Sequence, residues 1–404
     1  MTDGADGLMA YTIWNNKGGV GKTTIAFQII CQYAERHPDE NILCMDVCPQ
    51  TNLSSTLLSF LDTSTRSKGV FTPGAEVVQQ LETSEVCQRD HEGKIVMGAP
   101  KNIAGLLKYK LSRIRSYPEL TVQVASYNKN LTPNIYLLCG SSKLDLFSSR
   151  LSYESNTEWD SVHSILRTFA HEWYLSHGRK KTMVFIDTNP ALTPYTEIAI
   201  CAADRLLVPI NADDFSRQAI KNLITQIYPQ PDDKGEGLLA EFESQSFGHR
   251  LRRSVSLKRP LIHCIIHNKG TTYDGRSAAV FRALCDNLYK LGYDYYRKNG
   301  VRMFTPRLEG ELCRNREARN LQTDGGMSTT PDQALQDWKD QYTCDLPDGK
   351  STAVASMYCG IPAYKVFSFG KYVKEALDLS SNLNRAQAGQ FPQEVERMVQ
   401  NFLN

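Results

Sequence analysis

Short apolar runs alternate along this chain with segments in which apolar residues recur at helical spacing. Six apolar runs predict buried strands, at residues 8–14, 41–46, 135–139, 182–187, 205–210 and 261–267. Helical spacing predicts helices over residues 22–36, 52–61 and 159–176. Alternation of this kind predicts an α/β fold, namely a doubly wound and mostly parallel sheet flanked by helices.

Three stretches fall outside this alternation. Residues 62–130 are polar and irregular in pattern, and we interpret them as an insertion. Residues 322–352 are polar and carry paired glycines and two prolines, which is typical of a loop or an insertion. Residues 353–404 are mostly helical in pattern. We therefore predict one domain over residues 1–404, with two insertions and a helical extension.

Composition narrows the class of protein. The 404 residues are 41% hydrophobic and 22% charged, as in ordinary globular proteins. No apolar run approaches the roughly 18 residues of a membrane span. Asp3 and Asp6 replace the basic start of a signal peptide. The eleven cysteines are scattered without a CxxC pair, which disfavours disulfides and structural zinc and favours a reducing cytoplasm.

The first strand runs into a phosphate-binding loop, Asn-Asn-Lys-Gly-Gly-Val-Gly-Lys-Thr-Thr, at residues 15–24. Glycines let backbone N–H groups turn inward around an anion, Lys22 can reach the β- and γ-phosphates, and the Thr23 hydroxyl can bind Mg²⁺. A strand before the loop and a helix after it are the context that such a loop requires. The expected nucleotide-binding residues here are Lys17, Gly18, Gly19, Val20, Gly21, Lys22, Thr23 and Thr24.

Two predicted strands end in an aspartate. Asp187 follows four apolar residues and fits the Walker B position, where it would hold Mg²⁺ through water; a helix cap or a loop aspartate is the alternative. Asp46 ends the strand beside the phosphate-binding loop. Since carboxyl ends of parallel strands line the ligand crevice, Asp46 is a second magnesium candidate, with helix capping as its alternative.

Three motifs make the sequence resemble the ParA/MinD family of deviant Walker A ATPases. They are Lys-Gly-Gly-Val-Gly-Lys-Thr-Thr at 17–24, Asp-Val-Cys-Pro-Gln-Thr-Asn-Leu-Ser at 46–54 and Asp-Thr-Asn-Pro at 187–190. The Pro-Gln-x-Asn-Leu-Ser run is closer to ParA-type partition ATPases than to MinD. The resemblance covers roughly residues 8–61 and 134–320, and weaker matches continue through 272–276 and 304–307.

The resemblance implies ATP and Mg²⁺ as ligands and a homodimer that sandwiches two nucleotides. The residue matching Lys17 would cross to the partner's phosphates, so that Lys17 and Lys22 both serve hydrolysis; a solvated loop lysine is the alternative for Lys17. The family also places an asparagine and a Pro-Arg pair near adenine, here Asn268, Pro306 and Arg307. An asparagine after a strand is also a common turn residue.

The sequence departs from the family at Cys48, where an aspartate usually lies near the attacking water. A thiol is a poorer acceptor and, with a pKa near 8.5, is mostly neutral at pH 7. We therefore expect slow or absent intrinsic hydrolysis and a long-lived ATP dimer. A second departure, Asn189 in place of a proline, keeps the Walker B carboxylate but changes the turn after it.

Basic residues concentrate between His249 and Asn320. This segment has sixteen Lys/Arg and six Asp/Glu, a balance of +10 in a chain whose net charge is +2. Such a face can neutralise DNA phosphates without reading sequence; a solvated basic face is the alternative. The candidates from charge are Arg250, Arg252, Arg253, Lys258 and Arg259. The resemblance adds Arg276 as a DNA-contacting arginine.

The leading functional hypothesis is a ParA-type switch that partitions or positions DNA or another cargo, with a ParB-type adaptor that stimulates hydrolysis. Its location would be cytoplasmic, and nucleoid-associated if it binds DNA. A non-hydrolysing ATP-bound scaffold is the alternative that Cys48 favours. A MinD-like membrane role is disfavoured, because Glu394 and Glu396 outnumber Arg397 in the last helical stretch. An iron–sulfur carrier would need closely spaced cysteines.

Overall fold

A computed structural model gives the fold. It describes residues 7–62, 70–89, 92–114, 117–211, 214–229, 240–270, 272–273, 276–277, 279–299, 303–307, 331–378 and 390–403. The strands, in chain order, are β1 Leu8–Ile13, β2 Asn41–Val47, β3 Phe60–Asp62, β4 Val70–Thr72, β5 Glu85–Arg89, β6 Ile95–Pro100, β7 Val122–Gln123, β8 Ile135–Leu138, β9 Thr182–Thr188, β10 Arg205–Ile210, β11 Leu261–Gly270, β12 Thr272–Tyr273, β13 Arg276–Ser277 and β14 Thr343–Pro347.

The α-helices, in chain order, are α1 Lys22–Arg36, α2 Asn52–Leu58, α3 Gly74–Thr83, α4 Ile103–Leu111, α5 Leu144–Thr157, α6 Trp159–His163, α7 Ile165–Ser176, α8 Pro194–Ala202, α9 Asp214–Ile227, α10 Ala240–Ser244, α11 Phe247–Arg253, α12 Ala279–Asn299, α13 Pro331–Tyr342, α14 Lys350–Cys359, α15 Gly370–Ala376 and α16 Gln390–Phe402. Short 3₁₀ turns lie at Val124–Ser126 and Val366–Phe369.

A central sheet of eight strands organises the domain, in the order β14-β11-β10-β1-β9-β2-β8-β7. All neighbouring pairs are parallel except β7 with β8. Every residue of β2 and β9 is buried, because helices cover both faces of a parallel sheet. The predicted doubly wound α/β fold is confirmed.

The two faces of the sheet bury different helices. Along β2, Ile42 and Cys44 pack with α1, α2, α3 and α16, whereas Leu43 and Met45 pack with α4, α5, α7 and α8. Strand side chains alternate between faces, so this division follows from the apolar run itself. The carboxyl ends of the strands, with the loops that follow them, form the edge that carries the candidate site.

The polar pattern predicts irregular structure over residues 62–130. The described part of this segment is instead regular. Within the described part, residues 62–130 hold helices α3 and α4, the antiparallel hairpin β5–β6, and strand β4, which pairs antiparallel with β3 at residues 60–62. Helix α3 buries Val77, Val78 and Leu81 against the main core, and α4 buries Leu106 and Leu107 on the opposite face. Helix α3 buries one apolar face, whereas six of the nine residues of α4 are buried.

The second predicted insertion also forms regular structure where it is described. Residues 331–342 are helix α13, and residues 343–347 are the edge strand β14, which pairs in parallel with β11. Residues 308–330 lie outside the described part. The predicted helix over 159–176 is two helices that meet at Ser164. The helical extension is confirmed in α14, α15 and α16.

Helix α16 seals the α1 face of the sheet. Phe391, Val395, Met398 and Val399 are at most 3% exposed and belong to the same core as α1. An ion pair joins Arg36 of α1 to Glu396. The apolar side of this helix is therefore used in the core, which counts against a membrane-binding role. Among the described helices, none is both long and apolar enough to span a membrane.

Candidate nucleotide-binding site

The loop between β1 and α1 has a backbone that glycine alone tolerates well. Gly19 and Gly21 have φ of +70° and +85°, in the left-handed region. A Cβ on Gly21 would lie 2.0 Å from Asn268 Nδ2, which itself donates to the Val20 carbonyl at 3.0 Å. Gly18 and Gly19 are exposed, so this loop presents backbone N–H groups to solvent.

Asn15 anchors the start of the loop, a role that sequence reasoning missed. Its side chain is fully buried, donates to the Pro209 carbonyl at 2.6 Å and accepts from the Lys17 N–H at 3.0 Å. The residue lies within the motif at 15–24, but its partner on β10 is 194 positions away. The loop is thus tied to β10 on one side and, through Asn268, to β11 on the other.

Lys22 places a cation inside the loop. Its Nζ donates to the carbonyls of Asn15 and Lys17 at 3.1 and 2.9 Å, and the residue is 7% exposed. Burial lowers the pKa of Lys22 to about 8, although the neighbouring Asp187 carboxyl opposes the shift. Lys17, Thr23 and Thr24 are half-buried around it.

The pKa of Lys22 predicts that ATP affinity falls with rising pH. Above pH 8 the free protein loses the Lys22 proton, which must be taken up again for the ammonium to bind phosphate. We expect ATP to bind about tenfold more weakly at pH 9 than at pH 7. Titration with a fluorescent ATP analogue at constant ionic strength measures this change. A Cys48→Ser control should keep the same slope; equal wild-type affinity at both pH values would contradict it.

Asp46 and Asp187 face each other on neighbouring strands. They are partners in the β2–β9 register, and both are fully buried. The Thr23 hydroxyl donates to Asp187 Oδ2 at 2.7 Å. Burial raises the pKa of both carboxyls, and the negative charge of Asp46 raises that of Asp187 further. The charge of Asp46 disfavours a charge on Asp187, and a bound cation would offset this repulsion.

The donors around Asp187 fit a magnesium ion. Asp187 Oδ1 is buried and, among the described residues, has no hydrogen-bond partner. The described part holds no group of three His, Cys, Asp or Glu side chains able to bind a metal without help. Mg²⁺ commonly takes one or two protein oxygens and completes its shell with water and substrate phosphates. Thr23 and Asp187 are the residues that would hold it, where it would neutralise phosphate charge.

Asp46 has its hydrogen-bonding capacity engaged by its own chain. Its Oδ2 accepts from the Ser54 N–H at 2.9 Å and the Ser54 hydroxyl at 2.7 Å, and its Oδ1 accepts from the Cys48 N–H at 3.1 Å. These bonds tie the start of α2 to the end of β2. The geometry fits the capping alternative, while a magnesium contact stays a prediction.

Cys48 lies in the loop that Asp46 holds. The residue is 6% exposed, and burial, with the nearby Asp46 charge, raises the pKa of its thiol to about 12. The thiol is therefore neutral at physiological pH. It cannot act as the base that a carboxylate in this position would provide.

The structure separates the residues that the resemblance grouped around adenine. Asn268 contacts the phosphate-binding loop. Arg307 donates to the His263 carbonyl at 2.8 Å. His263 lies five positions before Asn268 on β11, which is about 16 Å along a strand. The Arg307 guanidinium lies over the rings of Tyr342 and Phe402, 5.4 Å from each. Arg307 thus packs α13 and α16 together, and Pro306 beside it is exposed. The adenine contacts stay predictions.

The basic candidates divide into two groups at opposite ends of β11. Arg250 lies 5.2 Å over the Trp159 ring and donates to the Ser155 carbonyl at 2.6 Å, so it has a packing role, and its predicted contact with DNA stays a prediction. Of the other four, Arg252, Arg253 and Lys258 are exposed and Arg259 is half-buried. They precede β11 in the chain, whereas Arg276 lies on β13 after it.

A family comparison decides the class of this site. The model of the AAA domain family AAA_31 matches residues 9–233, which is more than half of the chain. The chain belongs to this family, a ParA/MinD type of P-loop ATPase. The match spans the phosphate-binding loop, Asp46 and Asp187, and it ends before β11. No curated protein matches this ParA/MinD-type chain.

The solved structures similar to this ParA/MinD-type chain include those of McdA and ParA. Apo McdA from Cyanothece is 14% identical, with 92% of this chain and 99% of that chain covered and a TM-score of 0.47. A structure of pNOB8 ParA bound to nonspecific DNA is 18% identical, with coverage of 98% and 99% and a TM-score of 0.47. Because these TM-scores are below 0.5, the assignment rests on the family match and the site geometry.

Proposed function

We propose that this chain is an ATP-dependent dimerising switch that binds DNA without sequence preference and partitions or positions DNA or another cargo. The observation that carries the proposal is the buried Lys22 ammonium, held inside the glycine loop beside the Thr23–Asp187 pair. A buried cation, an exposed glycine backbone and a buried carboxylate oxygen without a partner among the described residues together match the charges of ATP and Mg²⁺.

Lys17 supplies the dependence on a second subunit. Its N–H is fixed by Asn15, and its carbonyl is fixed by Lys22, so its backbone position does not vary with the side chain. In the proposed dimer the Lys17 ammonium reaches the partner's phosphates. The interface then gains a charge-assisted contact that exists while the γ-phosphate is present and disappears with it. The bound nucleotide thereby determines whether the protein is a dimer or a monomer.

In this proposal, Cys48 limits the rate at which the switch hydrolyses ATP. A neutral, buried thiol leaves the attacking water without a carboxylate partner, so hydrolysis is slow and the ATP dimer persists. Release then requires a second protein, and we propose an adaptor of ParB type that stimulates hydrolysis or dissociation. In the cell, the ATP dimer would be found on nucleoid DNA and the ADP form in the cytoplasm. The same thiol favours the alternative of a non-hydrolysing scaffold, which measurable turnover would exclude.

One experiment tests the dimer and DNA parts of the proposal. We expect a dimer in ATP and a monomer in ADP, measured by light scattering after size exclusion. We expect the protein to be retained on random-sequence DNA only when ATP is present, with an affinity that falls steeply as the salt concentration rises. Equal retention without nucleotide, or no retention in ATP at low salt, would count against DNA binding.

The exposed arginines of α11 give this experiment a matched variant. Changing Arg252 and Arg253 to glutamate should weaken DNA retention and reduce the salt slope by about 0.9 for each DNA phosphate that these arginines no longer neutralise. A variant with both Arg150 and Arg397 changed to glutamate is the control with the same change in charge, since both residues are exposed and lie outside the basic segment. If both variants reduce retention equally, the effect comes from net charge and not from α11.

A further inference from the structure

Helix α3 reaches the nucleotide-bearing edge of the sheet through one carboxylate. Glu82 Oε1 accepts from the Ser141 hydroxyl at 2.6 Å, from the Ser142 N–H at 2.8 Å and from the Ser142 hydroxyl at 3.0 Å. Burial would raise the pKa of Glu82, but these serine donors outweigh it and lower the pKa. Glu82 is thus charged at neutral pH and holds the loop that follows β8.

That loop touches the carboxyl group of Asp46. The Gly140 N–H donates to the Ser54 hydroxyl at 2.8 Å, and the same hydroxyl donates to Asp46 Oδ2 at 2.7 Å. A Cβ on Gly140 would lie 2.9 Å from Asp46 Cγ and 3.1 Å from Thr51. The approach is close enough that a shift of the loop must displace Asp46 or Ser54.

The same helix also supports α2 along its length. Val77, Val78 and Leu81 of α3 share a core with Leu53 and Leu57 of α2. The Gly74 N–H donates to the Ser59 hydroxyl at 3.0 Å just after α2 ends. Helix α3 therefore contacts both segments that flank Asp46, the loop at 140–142 and the segment at 48–58 that begins with Cys48.

We propose that Glu82 is a positioning residue for the hydrolysis reaction: through Ser141, Ser142, Gly140 and Ser54 it fixes Asp46 and the loop at 48–54. This inference rests on the proposed ATPase function and adds its regulation. A protein that binds α3 and displaces Glu82 would release Asp46 and the loop at 48–54 without touching the phosphate-binding loop. Helix α3 would then be the place where a partner sets the hydrolysis rate.

A turnover experiment separates positioning from mere stability. The Cys48→Asp variant, whose hydrolysis is expected to be measurable, serves as the background. In it, Glu82→Ala should lower kcat about tenfold while KM for ATP changes less than twofold, because the phosphate-binding loop is intact. Glu82→Gln keeps a carbonyl oxygen for Ser141 and Ser142 and should restore kcat to within threefold. Glu76→Ala, exposed on the same helix, is the control.

Hydrogen exchange provides a second readout that does not depend on hydrolysis. In the wild-type background, Glu82→Ala should raise amide exchange at residues 48–54 and 140–143 and leave α1 unchanged; Glu76→Ala should leave all of them unchanged. Unaltered kcat and unaltered exchange in Glu82→Ala would overturn the inference, as would a loss that Gln does not rescue. If the wild-type chain fails to bind ATP, the proposed function fails, and exchange at residues 48–54 then tests only whether Glu82 fixes this loop.

Discussion

Replacing Lys22 with alanine is expected to weaken ATP binding at least about 100-fold. The buried ammonium now donates to two carbonyls of its own loop, so it is positioned to donate to phosphate oxygens in the same place. Hydrogen bonds to a charged group contribute about 1.5–3 kcal/mol each, and two of them account for a factor of about 100 or more. Calorimetric titration with ATP and Mg²⁺ measures the loss.

Lys17→Ala is the matched control for this prediction. The variant keeps the bonds of the Lys17 backbone to Asn15 and Lys22, so ATP affinity in the monomer should stay within about threefold. It should nevertheless lose the ATP-dependent dimer, because no cation crosses the interface. Light scattering in ATP tells the two lysines apart. A Lys17→Ala chain that still dimerises in ATP would remove the basis for the proposed switch.

Replacing Cys48 with aspartate is expected to raise ATP turnover on the order of 100-fold. Burial raises the pKa of the Cys48 thiol to about 12, so the wild-type chain has no base there at pH 7. A carboxylate at the same position, beside Lys22, can accept a proton from the attacking water. Phosphate release under single-turnover conditions measures the rate, and the lifetime of the ATP dimer should shorten in proportion.

Cys48→Asn controls for shape in this second prediction. Asparagine has the size of aspartate but no charge and should leave turnover at the wild-type level. Turnover of the aspartate variant no faster than that of the asparagine variant would show that Cys48 does not limit hydrolysis. Slow wild-type turnover would then need another cause, and the loop fixed by Asp46 is the place to look.

The parts of the site that the sequence predicts are those whose chemistry is local. The glycine loop lies between a strand and a helix that are recognisable from their apolar spacing, and Asp187 ends an apolar run. Asn15 escaped prediction because its partner, Pro209, is on another strand. The capping bonds of Asp46 depend on which way Ser54 turns, eight positions further on. Packing in three dimensions determines these hydrogen bonds, and the pattern of residues along the sequence does not show it.

The fold shows the same division. Six central strands followed from their apolar runs, but β14 did not, since Thr-Cys-Asp-Leu-Pro is short and polar and is stabilised by pairing with β11. Helix α3 carries only a narrow apolar face, and α2 supplies the surface that makes it fold. Arg250 counted as one more basic residue in the sequence, whereas Trp159 and Ser155 give it a packing role.

The position of α16 has a consequence for how this protein is made. Arg36 and Glu396 are 360 positions apart, so the face of α1 that α16 covers is uncovered for most of synthesis. At about 5–20 residues per second, that interval is roughly 20–70 s. During it, the core that α1 shares with α16 lacks the residues of α16 and is accessible to chaperones or to aggregation. A fragment cut at residue 233, where the family match ends, would remain in that unfinished state and would also lack β11 and β14.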